Sequence, residues 1–347
     1  MKEQKWYVKH IPQCFSSTGK PFRVSLKRGT VNKLLINFCG GGLSWSEETA
    51  ASPISVSRLL GKKDAYYIAD VPKVAFKMMR AGLLSAQDAR NPFKDWHMLN
   101  IPYSTADFHI GNNNFKYSDG KELLHCGQTN FDIIMRDITK KVFPDTPEQL
   151  LIAGTSAGGF GCIAHAPAMH NIYPKCKNIT IYSEGTHLQW PKWPSVVRDV
   201  WKISPELAEH ITSDNLILDL LKYAQSKMPL NTQFLHLNSV WDEMLIRFMN
   251  KMHNDKLVVD AEAKQFFHST LKDTVRAAKQ EIPNYFYYLT DYGMNKIGTT
   301  PHTLAGIHEL YHGELEDDIS IADWLSKAVS KEPFDVGKNF IEEETAC

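Results

Sequence analysis

Short apolar runs, closed by glycine or polar turns, alternate along the chain with longer stretches whose apolar residues recur every three or four positions. The first pattern is that of strands buried on both faces, the second that of helices packed on one face. Strands are predicted at residues 34–38, 96–102, 149–153, 178–183, 233–237 and 285–290, with weaker candidates at 22–26 and 65–69. A helix-like region surrounds residues 72–90. This alternation predicts an α/β fold on a mostly parallel sheet flanked by helices.

Residues 189–282 have a different texture. Ser204-Pro205-Glu206 combines a helix N-cap, a proline at the first helical position and an acidic first turn. Ser213-Asp214 opens a helix whose Leu216, Ile217, Leu220, Leu221 and Ala224 share one face, and residues 243–253 and 260–280 read as further helices. The expectation is one domain over 1–347 with a helical insert at 189–282.

Composition narrows the function classes. Lys plus Arg and Asp plus Glu number 39 each, and no run of five like charges occurs, which argues against a nucleic-acid partner. No apolar stretch approaches the ~18 residues of a membrane helix, so no membrane partner is expected. The N-terminus lacks the apolar core of a signal peptide. The cysteines at 14, 39, 126, 162, 176 and 347 form no C-x-x-C and no metal-type spacing, and read as reduced thiols. A cytoplasmic location is the expectation.

The chemistry concentrates at strand ends. Gly154-Thr155-Ser156-Ala157-Gly158 is G-x-S-x-G placed after an apolar strand and before a helical stretch, where a tight turn presents a serine as nucleophile. A phosphate loop would need a G-K-[ST] ending that is missing. Cys39-Gly40-Gly41-Gly42 follows the 34–38 strand, where α/β-hydrolases carry an oxyanion loop; the N–H of Gly41 or Gly42 with that of Ala157 would form the hole. In that fold the acid and the histidine follow the serine in order. His302 lies after the last strand and is the candidate base, with His308 and His312 as weaker alternatives. Asp242 lies after the 233–237 strand and is the candidate acid; adjacent Glu243 is an alternative, since neighbours on a starting helix point about 100° apart and only one can face His302, and Asp291 is the runner-up. Asp242 also has the position of a helix N-cap. This chemistry needs no metal and no organic cofactor.

Together these blocks resemble the pectin acetylesterase family, which includes the Notum carboxylesterases. Phe38 to Trp45 (FCGGGLSW) is similar to its GGG-x-C-W block, Ile101 to Gly111 to its P-Y-C-T-G-D-x-H-x-G block, Gly154 to Gly159 to its nucleophile block and Pro301-His302-Thr303 to its histidine. Gly313 to Leu325 resembles its closing helix. The resemblance implies an α/β-hydrolase fold, Ser156 as nucleophile, Asp242 as acid, His302 as base and Trp45 beside the oxyanion glycines. It leaves Asp107 and His109 between contacting substrate and bracing their loop. Ser44 and Ser104 replace motif cysteines, Ala106 replaces a glycine, and Ser183-Glu184-Gly185 stands where relatives tend to carry Asp-Ser-Gly. The implied activity is a serine esterase removing a short acyl group, acetyl first, from a small-molecule or oligosaccharide ester. The alternatives are a longer-chain or lipid carboxylesterase, walled by Trp190, Trp193, Trp201, Phe266 and Phe267, and a non-catalytic binding protein on the same fold. The even charge balance offers no electrostatic pull toward an acidic polymer.

Overall fold

In the computed structural model, which describes residues 1–54, 64–118 and 120–342, an eight-stranded sheet forms the centre. Its strands are β1 (Trp6–Phe15), β2 (Pro21–Lys27), β3 (Lys33–Phe38), β4 (His97–Ile101), β5 (Gln149–Thr155), β6 (Ile179–Glu184), β7 (Gln233–Ser239) and β8 (Tyr285–Thr290). They lie in the order 1-2-4-3-5-6-7-8. β4, β3, β5, β6, β7 and β8 run parallel, whereas β2 is antiparallel to β4 and β1 to β2. This mostly parallel sheet with helices on its faces is an α/β-hydrolase-type fold.

The parallel strands are buried almost along their whole length and mostly apolar because both of their faces are covered. Along β3, Leu34, Ile36 and Phe38 enter one core and Leu35 the other; along β5, Leu150 and Ile152 oppose Leu151 and Ala153. The main helices are α1 (Gly127–Ile134), α2 (Ala157–Ile172), α3 (Leu216–Lys227), α4 (Glu243–Asn254), α5 (Ala261–Glu281) and α6 (Ile321–Val329). Helix α2 is buried almost all round, which explains a sequence (AGGFGCIAHAPAMHNI) without a polar stripe.

All six main strand predictions and residues 22–26 correspond to strands. Residues 65–69 do not: Tyr67 makes only isolated bridges to Gly42 and Pro53, and the segment crosses the glycine loop as a strap. Residues 72–90 hold only the short helices Ala75–Met78 and Gly82–Leu84, since Pro72 and Gly82 interrupt any longer one. Strand β1 is absent from the sequence reading. It is an edge strand, half of it exposed, with Pro12 in it and an irregular register between His10 and Phe15, so it shows no clean alternation. The stretch 189–282 carries α3, α4, α5 and shorter helices around β7. Asn215, not Ser213, caps α3 by accepting from Leu218 N–H. Cys14, Cys39, Cys126, Cys162 and Cys176 are free thiols, and Cys347 lies outside the described residues. No described helix is long and apolar enough to cross a membrane.

Candidate active site

The segments that follow β3, β5, β7 and β8 converge on one cavity of about 600 Å³, β7 through Met244 and Leu245 of α4. Its lining includes Gly40, Gly41 and Gly42 after β3, Ser156 and Ala157 after β5, and His302 after β8.

Ser156 sits at φ 54° and ψ −127°, a strained conformation between β5 and α2. Its hydroxyl makes no capping bond to the helix it precedes. The flanking glycines explain the motif sterically. A Cβ on Gly154 would lie 2.1 Å from the Gly158 carbonyl oxygen, and one on Gly158 would lie 2.0 Å from that of Phe38. The glycine loop packs as closely: a Cβ on Gly40 would come within 2.6 Å of the Ser156 Cβ. Gly42 has φ +80° and would clash with the Tyr66 carbonyl. Leu43 N–H donates to Tyr66 O and Ile68 N–H to Gly41 O, so the 65–69 strap fixes the loop from outside. Among the described residues, the N–H groups of Gly41, Gly42 and Ala157 have no protein acceptor.

Asp242 is fully buried and performs two tasks at once. Its Oδ1 accepts from Leu245 N–H at 2.9 Å, capping α4, while its Oδ2 lies 2.7 Å from His302 Nδ1. The two loops are zipped together, with Thr300 N–H donating to Trp241 O and Glu243 N–H to Thr300 O. Glu243 points the other way, and its Oε2 accepts from Asn295 Nδ2 and Thr299 Oγ1. His302 Nε2 has no hydrogen-bond partner among the described residues. Burial works against charge on His302, but Asp242 and then Glu184 outweigh it and hold the imidazole above its ordinary value. Burial pushes the Asp242 carboxyl up, with His302 opposing. Asp291 makes no hydrogen bond to His302.

The remaining sequence candidates lie behind this surface. Asp107 is fully buried; Oδ1 accepts from Thr105 Oγ1 at 2.5 Å and from His109 N–H, and Oδ2 from Gly127 N–H at 2.8 Å. Burial pushes its carboxyl up to about 7 against these donors. The loop it holds contains Ala106, Phe108 and His109 at positive φ, which its hydrogen bonds offset. His109 Nε2 donates to Cys39 O at 2.9 Å, and His165 Nε2 on α2 donates to His109 O at 2.7 Å. Neither Asp107 nor His109 lines the cavity; Asp107 holds its own loop, and His109 ties that loop to Cys39 at the head of the glycine loop. Trp45 does not line it either. Its ring packs on Tyr66 and Phe248, which do, and faces a neighbouring surface pocket with Trp190. Trp193, Trp201 and Phe267 belong to the core and Phe266 is exposed; residues 189–282 line the cavity through Met244, Leu245, Arg247, Phe248 and Leu257 instead.

Glu184 is the residue whose role the sequence did not reveal. Fully buried at the end of β6, it accepts from Leu304 and Ala305, just past His302. Its departure from the family pattern was the one signal.

His308 and His312 meet Asp88 away from the cavity, with ligand-type atoms of all three within 4.8 Å. His312 Nε2 is 2.8 Å from Asp88 Oδ2 in ion-pair range, though off hydrogen-bond geometry. The Arg90 guanidinium binds Asp88 and donates to His308 Nε2 at 2.7 Å. The positive charge a metal would bring is thus already supplied by a side chain.

No curated protein matches the chain closely enough to count as a relative. Residues 22–194, which include the glycine loop, the Asp107 loop and the serine turn, match the Pectinacetylesterase family model. The chain belongs to the pectinacetylesterase family, and so to the carboxylic-ester hydrolases.

Proposed function

We propose that the protein is a serine esterase that removes an acetyl group from a hydroxylated, sugar-like substrate. His302 Nε2 takes the Ser156 proton as Oγ attacks the ester carbonyl. The N–H groups of Ala157 and of Gly41 or Gly42 receive the oxyanion. Asp242 fixes the imidazole with its proton on Nδ1 and stabilises the imidazolium. The alcohol leaves with that proton, and water attacks the acyl-Ser156 ester to release the acid. The observation that carries this reading is the cavity onto which Ser156, His302 and the glycine loop open together, with Asp242 behind His302.

A longer acyl group is the second reading, favoured by the cavity itself. Its volume exceeds what an acetyl group needs, and Ile54, Ile68, Phe108, Phe160, Leu188 and Phe248 make its wall apolar. Hydrolysis of p-nitrophenyl acetate, butyrate and octanoate by the wild type and by Ser156→Ala tests both. The expected result is a loss of about 10⁴-fold or more in the variant, with acetate preferred. A profile peaking at octanoate selects the longer-acyl reading, and equal rates for wild type and variant contradict both.

A further inference from the structure

Resting on the reading of Ser156 and His302 as nucleophile and base, we propose that Glu184 is a positioning residue of the reaction, tying the serine turn and the histidine loop to one strand end and setting a second buried negative charge beside His302.

The tie has two parts. The Glu184 backbone carbonyl accepts the Ser156 N–H at 2.7 Å, so it holds the strained residue of the serine turn. The Glu184 carboxylate accepts from Leu304 N–H and from Ala305 N–H at 3.1 Å, and its other oxygen accepts from Tyr182 Oη at 3.0 Å. The next residue completes the floor. Gly185 has φ +61°, and a Cβ there would sit 3.1 Å from His302 Cε1. A single turn at the end of β6 therefore meets both Ser156 and His302.

The clamp alone does not call for an acid. A glutamine carbonyl accepts two N–H bonds as well, and a buried carboxylate costs more desolvation. What the carboxylate adds is its field. Glu184 is among the groups that favour charge on His302, after Asp242. Its ionisable neighbours include His302 on the loop and Tyr182 on the same strand, which is itself beside Tyr311 and Cys162. Asp242 meets the His302 ring at Nδ1. Burial pushes the Glu184 carboxyl itself up, with the Leu304 and Ala305 N–H groups, Tyr182 and His302 opposing. In its ionised form it gives the imidazolium that forms during acyl transfer a second carboxylate, not bonded to the ring as Asp242 is.

The test separates clamp from charge with Glu184→Gln and Glu184→Ala. His302 is titrated by NMR on histidine-labelled protein, p-nitrophenyl acetate kinetics are followed against pH, and thermal melting reports the fold. Glu184→Gln keeps an acceptor for the loop and is expected to melt like the wild type, with the His302 titration and the acid limb of kcat/KM both moved to lower pH. Its kcat is expected to fall roughly tenfold, the loss of one charge contact to the imidazolium. Glu184→Ala releases the loop too, and is expected to lose roughly a hundredfold. An unchanged His302 titration in Glu184→Gln, or equal effects of Gln and Ala on titration and kcat, overturns the proposal. Ser156→Ala and His302→Ala run alongside: if they keep wild-type rates the triad reading fails, and the His302 titration still decides the coupling to Glu184.

Discussion

The two walls of the cavity are built from the same parts and put them to different uses. Each has a loop held by a buried carboxylate that accepts backbone N–H groups: Asp107 in the 103–111 loop, whose His109 in turn holds Cys39 at the head of the glycine loop, and Glu184 behind the histidine loop. Each also has a histidine, buried in the case of His109 and partly buried in that of His302. His109 faces a backbone carbonyl, and burial with no acid partner pushes it down to about 3, so it stays neutral and serves as a fixed donor. His302 faces the Asp242 carboxylate, which outweighs burial and raises it. Partner rather than residue type decides which histidine can carry a proton.

Breaking the carboxylate contact on the histidine wall tests that difference with the largest effect. Asp242→Asn keeps the shape but favours the wrong tautomer, and is expected to lower kcat by about 10³–10⁴-fold. With His302 as the proposed base, it must be neutral to accept the serine proton, so activity in the wild type is expected to fall as pH drops through its raised value. The acid limb of kcat/KM is therefore expected above the ordinary histidine range. On the glycine wall, Gly42→Ala forces a side chain into positive φ against the Tyr66 carbonyl, an expected cost of about 1–3 kcal/mol in stability. It should also lower kcat about a hundredfold by shifting the oxyanion donors, which a chemical melt and steady-state kinetics read separately. The smallest effect is expected for His109→Gln, whose amide N–H can replace the imidazole donor to Cys39. A severalfold loss in kcat with the acid limb unmoved sharpens the comparison; a moved limb would make His109 a titrating group.

The sequence made the sheet legible where strands are buried on both faces, because burial forces continuous apolar runs bounded by glycine. It was silent on β1, where half the residues face water. The aromatic run at 65–69 reflects burial of Tyr66 and Tyr67 over the glycine loop rather than sheet pairing. In the site, residues at strand ends could be named because topology orders them. The second carboxylate could not, since Glu184 meets Leu304 across a separation of 120 residues that no local pattern records. Trp45 illustrates the opposite limit: adjacency to the glycines in sequence did not bring it into the cavity, because its ring packs behind Tyr66, which lines it.

The most direct measurement is intact-protein and peptide mass spectrometry after reaction with a fluorophosphonate probe. The account predicts one adduct, on Ser156, formed fast in the wild type and absent in Ser156→Ala. It also predicts strong slowing in His302→Ala. No adduct on an active preparation, or an adduct elsewhere with Ser156→Ala still hydrolysing ester, would contradict it.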